Sequence, residues 1–205
     1  MAASHLEREY CVLPETHFSV AILVGGRSTR MGRDKAGIEI GGCTLLARQI
    51  ALAWSLEPAE VLVSGRSDVP LGDRLVRVVD DERPGLGPLG GLASVLISAV
   101  EPHLLLLAVD LPALNAGMLH RLLAKRRAGV GVVPRTPRGW EPTAAVYPRS
   151  LLPEIRRRLA AGELALHKFV EAEVEAGRLV ALDVPETDAA VFENWNTPAD
   201  IHANL

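Results

Sequence analysis

The run HLLLLAV (residues 103–109) is apolar along almost its whole length, and a strand without alternation must be covered on both faces. Four more short runs read the same way: FSVAILV (18–24), EVLVS (60–64), RLVRVV (74–79) and VGVVP (130–134). Between them lie segments with helical spacing at 43–54, 89–100 and 115–128. Strands that need cover, alternating with helices that give it, specify an α/β fold: a three-layer α/β/α sandwich with a mostly parallel, Rossmann-like sheet. After residue 135 the pattern loosens. GWEPTAAVYP (139–148) reads as an irregular strand, 150–161 and 163–176 as helices, and 178–184 as a last strand. No linker divides the chain, so residues 1–205 are expected to form one α/β domain, with 1–17 a flexible N-terminal extension.

Charge and cysteine usage exclude several classes. A formal charge of -3 argues against a nucleic-acid binder, which would carry a broad excess of Lys and Arg. Any anion site must be local. Cys11 and Cys43 have no metal-type spacing and read as reduced thiols of a cytoplasmic protein. The six histidines, His5, His17, His103, His120, His167 and His202, are scattered, which leaves no catalytic zinc set. Neither the charged N-terminus nor the short apolar runs suit a signal peptide or a bilayer span, so no membrane partner is expected.

Ligands of open parallel sheets collect beyond the carboxyl ends of the strands. The first such loop, LVGGRSTRMGRDK (23–35), sets Gly25 and Gly26 directly after a strand, where backbone can approach a ligand closely. Arg27, Arg30, Arg33 and Lys35 follow, against Asp34 alone. One cation about 4 Å from a phosphate is worth roughly 4 kcal/mol at an effective dielectric near 20, so several together can hold a triphosphate. The spacing is not that of a P-loop, because Gly26 and Gly32 enclose five residues and Arg33 follows. GLGPLG (85–90) matches G-x-G-x-x-G, with Asp110 twenty residues beyond, and taken alone would suggest an NAD oxidoreductase. DDERP separates it from the preceding strand, and Pro88 lacks an N–H where a pyrophosphate would want one.

Asp110 ends a strand and precedes Leu111-Pro112, a suitable place for Mg²⁺, which takes one or two carboxylates plus phosphate oxygens. It could instead cap a helix starting near residue 113. Asp80 and Asp81 also follow a strand. In GLGPLGG, Gly87, Gly90 and Gly91 would let backbone pass close to a base or ribose. In NWNTPAD (194–200), Thr197, Pro198 and Asp200 make a capping box that leaves Asn194 and Asn196 unexplained. The basic run Lys125-Arg126-Arg127 ends a helix and would complement its dipole.

LVGGRSTRMGRDK resembles the L-A-G-G-x-S-x-R-M-G-x-D-K signature of the molybdenum cofactor guanylyltransferases, within the wider nucleotidyltransferase superfamily. The resemblance continues in order through DERPGLGPLGGL (81–92), AVDLP (108–112), EPTAAVY (141–147) and NWNTPAD. It implies that Leu23, Val24, Gly25 and Gly26 cradle a nucleotide with backbone groups, that Lys35 and Arg30 are the catalytic cations, and that Asp110 holds Mg²⁺. It further implies that Ser64, Asp81 and Gly87 lie along the nucleotide, with Asp80 a secondary candidate, and Asn194 and Asn196 near a pterin. The chain departs from the signature at Val24 (usually Ala), at Ser64 (Asn in some relatives), at Glu141 (often His or Gln) and at Val109, where a Cys commonly precedes the Asp.

The implied reaction transfers GMP from GTP to the phosphate of molybdenum-molybdopterin and releases pyrophosphate, in the cytoplasm and with transient contacts to other molybdenum cofactor proteins. Cytidylyl transfer to the same pterin, transfer to another phosphorylated metabolite, and a non-catalytic nucleotide-binding protein are the alternatives that the residues leave open.

Overall fold

The computed structural model describes residues 17–24, 35–65, 69–72 and 74–195. Gly25, Gly26, Arg30, Asn196, Cys11 and the Thr197 cap lie outside the described residues.

The described residues form ten strands and six α-helices. The strands are β1 (Ser19–Leu23), β2 (Glu39–Ile40), β3 (Cys43–Thr44), β4 (Glu60–Ser64), β5 (Arg77–Val79), β6 (His103–Ala108), β7 (Gly131–Thr136), β8 (Gly139–Trp140), β9 (Ala144–Pro148) and β10 (Leu179–Asp183). The helices are α1 (Leu45–Trp54), α2 (Gly87–Ser98), α3 (Ala116–Lys125), α4 (Leu152–Ala160), α5 (Leu166–Glu175) and α6 (Glu186–Ala189). The main sheet runs β10-β7-β9-β6-β1-β4-β5, with β8 beside β7. Every neighbour pair is parallel except those that β9 makes with β6 and β7 and the short β7–β8 pair.

The apolar strands are central because both their faces are covered. On β6, Leu105 and Leu107 face a layer with α1 and α3, whereas Leu104 and Leu106 face a layer with α2, α4 and α5. All four are fully buried, and burying one such side chain contributes about 1.5–3 kcal/mol. β1 divides the same way, Val20 and Ile22 to one layer and Ala21 and Leu23 to the other.

Local chemistry sets the helix ends. α1 begins after Thr44, whose hydroxyl accepts from the Ala47 N–H at 3.1 Å, because Cys43 and Thr44 first pair with β2. The helix expected from residue 43 therefore starts two residues later. α3 is capped by Asn115, which accepts from the Met118 N–H at 3.0 Å, so Asp110 is not a helix cap. α3 stops at Lys125, where Arg126 turns extended. Arg126 donates to the Leu123 carbonyl at the helix end, but Lys125 reaches across to the Ala181 carbonyl of β10.

β1 is where the strand order reverses. β4 and β5 lie to one side of it and β6 to the other, so the chain passes over β1 between β5 and β6. The crossovers α1 and α2 pack on opposite faces, which leaves a crevice between the carboxyl ends of β1 and β6.

β7 packs tightly between β10 and β9. A Cβ at Gly131 would collide with the Val146 carbonyl oxygen and press on Pro148 and Leu179. Gly131→Ala should therefore cost about 3 kcal/mol in urea unfolding, by overpacking. A loss near zero would show that the strands can part.

Candidate active site

Backbone hydrogen bonds lace the crevice together. The Leu23 carbonyl accepts from the Val109 N–H at 3.2 Å, and the Val24 N–H donates to the Ser64 carbonyl at 3.0 Å. The Ala108 N–H donates to the Thr143 carbonyl at 2.8 Å, while the Asp110 carbonyl accepts from the Trp195 N–H at 3.0 Å. Five separated parts of the sequence thus meet within a few residues of Asp110.

Lys35 opens a 3-10 turn, Lys35–Gly37, whose middle residue Ala36 is fully buried. Its ammonium lies 3.0 Å from Asp110 Oδ2, an ion pair between residues 75 apart in sequence, with side chains 24% and 19% exposed. At that distance and an effective dielectric near 20 the attraction is about 5 kcal/mol before the desolvation cost of either group. The pairing shows that the field at Asp110 already favours a cation. No cluster of three or more metal-binding side chains occurs among the described residues. One carboxylate suits Mg²⁺ that arrives with phosphate oxygens and water, and does not suit a metal held by protein alone.

A second carboxylate faces the other wall. Ser64, at the end of β4 and 2% exposed, donates from Oγ to Asp81 Oδ1 at 3.3 Å. Gly91 on α2 closes on the same place: a Cβ there would stand 3.0 Å from Leu23 Cδ2, 3.4 Å from Ser64 Oγ and 4.0 Å from Asp81 Oδ1. Leu23, Ser64, Asp81 and Gly91 therefore form one wall. Gly87, expected beside the nucleotide, begins α2 one turn ahead of Gly91 with φ +66°. Gly90 answers to a contact inside the protein, since a Cβ there would meet Leu86 at 2.5 Å. Ser94 fastens this stretch by accepting from the Glu82 N–H at 3.1 Å and donating to the Gly90 carbonyl at 3.2 Å.

The third wall is the turn of residues 141–143 between β8 and β9. The Tyr147 hydroxyl is buried, donates to the Pro142 carbonyl at 2.6 Å, and stays protonated because burial pushes it up. Glu141 is half-buried, and that desolvation holds its carboxyl above the usual range despite the Thr136 hydroxyl and nearby Arg138. Asn194 is exposed on the chain leading to Trp195.

Sequence reasoning did not single out Gln49. It occupies a core-facing position of α1 beside Leu45, Leu46, Ile50 and Ala53, is 2% exposed, and donates from Nε2 to the Leu111 carbonyl at 2.8 Å. Its Oε1 finds no partner among the described residues, and an orphaned buried acceptor costs about 1–3 kcal/mol. The available signal was a lone amide in the apolar stripe of LLARQIALAW.

A mostly parallel sheet with an ion pair at its switch point has the architecture in which ligands collect beyond the carboxyl ends of the strands. Residues 20–177 match the family described as MobA-like NTP transferase domain, and the chain belongs to that family. It is a nucleotidyltransferase, and the G-x-G-x-x-G match at 85–90 is not a dinucleotide fingerprint: β5 ends at Val79, well before α2 opens at Gly87. The chain is 37% identical over 183 residues to a probable molybdenum cofactor guanylyltransferase of Opitutus terrae, covering 88% of this chain and 91% of the relative. It is 33% identical over 197 residues to the molybdenum cofactor guanylyltransferase of Xanthomonas euvesicatoria, covering 89% and 94%. Among solved structures, its fold matches molybdopterin-guanine dinucleotide biosynthesis protein A of Archaeoglobus fulgidus with TM-score 0.69 at 22% identity over 90% of this chain and 95% of that one. It also matches the 2-C-methyl-D-erythritol 4-phosphate cytidylyltransferase of Thermus thermophilus with TM-score 0.68 at 21% identity, over 91% and 96%. No helix among the described residues is long and apolar enough to cross a membrane.

Because the folded state holds a proton on Glu141 more tightly than the unfolded chain does, its ionisation weakens the fold as pH rises through the raised value. Glu141→Gln should accordingly be more stable than the parent at pH 7, with the difference closing below about pH 4. Urea midpoints at the two pH values measure this, and equal midpoints at pH 7 would count against it.

Proposed function

We propose that this nucleotidyltransferase is a molybdenum cofactor guanylyltransferase, moving GMP from GTP to the terminal phosphate of molybdenum-molybdopterin with release of pyrophosphate. The observation that carries the reading is the Lys35–Asp110 pair at the β1/β6 crevice, in a chain whose curated relatives bear that name. The acceptor phosphate is ionised at neutral pH and attacks the α-phosphorus of GTP. The bond to the β-phosphate oxygen breaks, and no side chain has to remove a proton. The protein's task is to align two anions and offset their repulsion.

Lys35 leaves Asp110 for the β- and γ-phosphates and stabilises charge on the departing pyrophosphate, with Arg30 as the second cation. Asp110, so released, would hold Mg²⁺, which would supply Lewis-acid neutralisation of the negative charge on the phosphates. Backbone groups of Leu23 and Val24, followed by Gly25 and Gly26, close on the nucleotide. The Asp81 carboxylate accepts from the adjacent N1–H and N2–H of guanine, and Ser64 acts through Asp81, since its hydroxyl is already engaged there. Asn194 and Asn196 stand on the pterin side.

Pyrophosphate release, measured over the four nucleoside triphosphates with molybdenum-loaded molybdopterin and Mg²⁺, tests the assignment. Release with GTP is expected. Preference for CTP would make the enzyme a cytidylyltransferase, and release with none would point to a binding protein. Lys35→Ala and Asp110→Ala should each lower turnover at least about a hundredfold, or roughly 2.7 kcal/mol of transition-state stabilisation, with unchanged circular dichroism. Lys35→Ala should also bind Mn²⁺ more tightly than the parent when no nucleotide is present, as titration would show, because the competing ammonium is gone.

A further inference from the structure

We propose that Gln49 is a positioning residue for Asp110, holding the turn that carries the carboxylate so that it can take a divalent cation together with a nucleoside triphosphate. The inference rests on the reading of Asp110 given above.

Three tethers flank that carboxylate. The Val109 N–H is held by β1, the Asp110 carbonyl by Trp195, and the Leu111 carbonyl by Gln49 Nε2 together with the Leu114 N–H. Gln49 supplies the one side-chain tether among these. Its helix also governs the opposite charge: α1 packs on the Lys35–Gly37 turn, and the Leu45 N–H at its start donates to the Ile38 carbonyl at 2.8 Å. Leu45 and Gln49 lie one helical turn apart on one face. A single rigid helix therefore touches both the Lys35 turn and the Asp110 turn, and sets the spacing at which the two charges meet.

Stability alone does not call for an amide here. A leucine or methionine would fill a similar volume without an Oε1 that has no partner among the described residues, and Leu111 would keep its bond from Leu114. What the amide adds is a directional hold on the carbonyl next to Asp110. Were the amide rotated, its oxygen would face the Leu111 carbonyl oxygen, so the arrangement has one orientation.

The test compares Gln49→Leu, Gln49→Met and Asp110→Ala with the parent protein by Mn²⁺ titration in the presence of GTP, alongside thermal melting and steady-state kinetics. Both Gln49 variants should melt at or above the parent temperature and bind Mn²⁺ about tenfold more weakly, the scale on which partners of a metal ligand act. Their KM for GTP should stay within about twofold, and excess Mg²⁺ should restore turnover, as loss of a metal-positioning contact requires. If the parent and both variants bind Mn²⁺ equally while Asp110→Ala does not, the role of Gln49 is refuted and the reading of Asp110 survives. A drop in melting temperature with metal binding and KM for GTP degraded together would make Gln49 merely structural. If Asp110→Ala binds Mn²⁺ as the parent does, the reading of Asp110 falls and takes this inference with it.

Discussion

Burying β6 on both faces forces the first acidic side chain after it, Asp110, to stand at the mouth of the sheet, and a charge at that place has to be met. The protein meets it with Lys35, carried on a turn that the buried Ala36 pins and α1 supports. The ion pair and the reversal of strand order at β1 are two expressions of one constraint. The chain must change sides of the sheet between β5 and β6, and the crevice this opens lies where Leu23 ends β1 and Asp110 follows β6.

Most of the layered fold was legible in the sequence because its strands are apolar throughout. EVLVS matches β4 residue for residue, and HLLLLAV differs from β6 only at its last position. The direction of β9 was not legible. A strand buried on both faces looks the same in composition whichever way it runs, and only the short β7–β8 connection and the turn at 141–143 bring it back antiparallel to β6. Helix starts were misjudged where a competing bond intervenes, as at Thr44, which pairs in a two-residue ladder before it caps α1.

The site divides along the same line. Lys35 and Asp110 were visible because charge is conspicuous beside apolar runs, and the structure brings them into contact. Ser64 and Gly90 were visible too, but what each touches depends on side chains distant in sequence. Ser64 spends its hydroxyl on Asp81, and Gly90 makes room for Leu86. Gln49 lay hidden because a buried amide in an amphipathic helix has no signature until its partner, 62 residues away, is known. The charged candidates are thus written in local motifs, whereas the partners of Ser64, Gly90 and Gln49 are contacts made only by folding.

The hydrogen bond from Trp195 to the Asp110 carbonyl couples the last described residue of the chain to the turn that follows β6. During synthesis β1, α1 and β6 all emerge before Trp195, so the bond from Trp195 is the last of the tethers flanking the aspartate that can form.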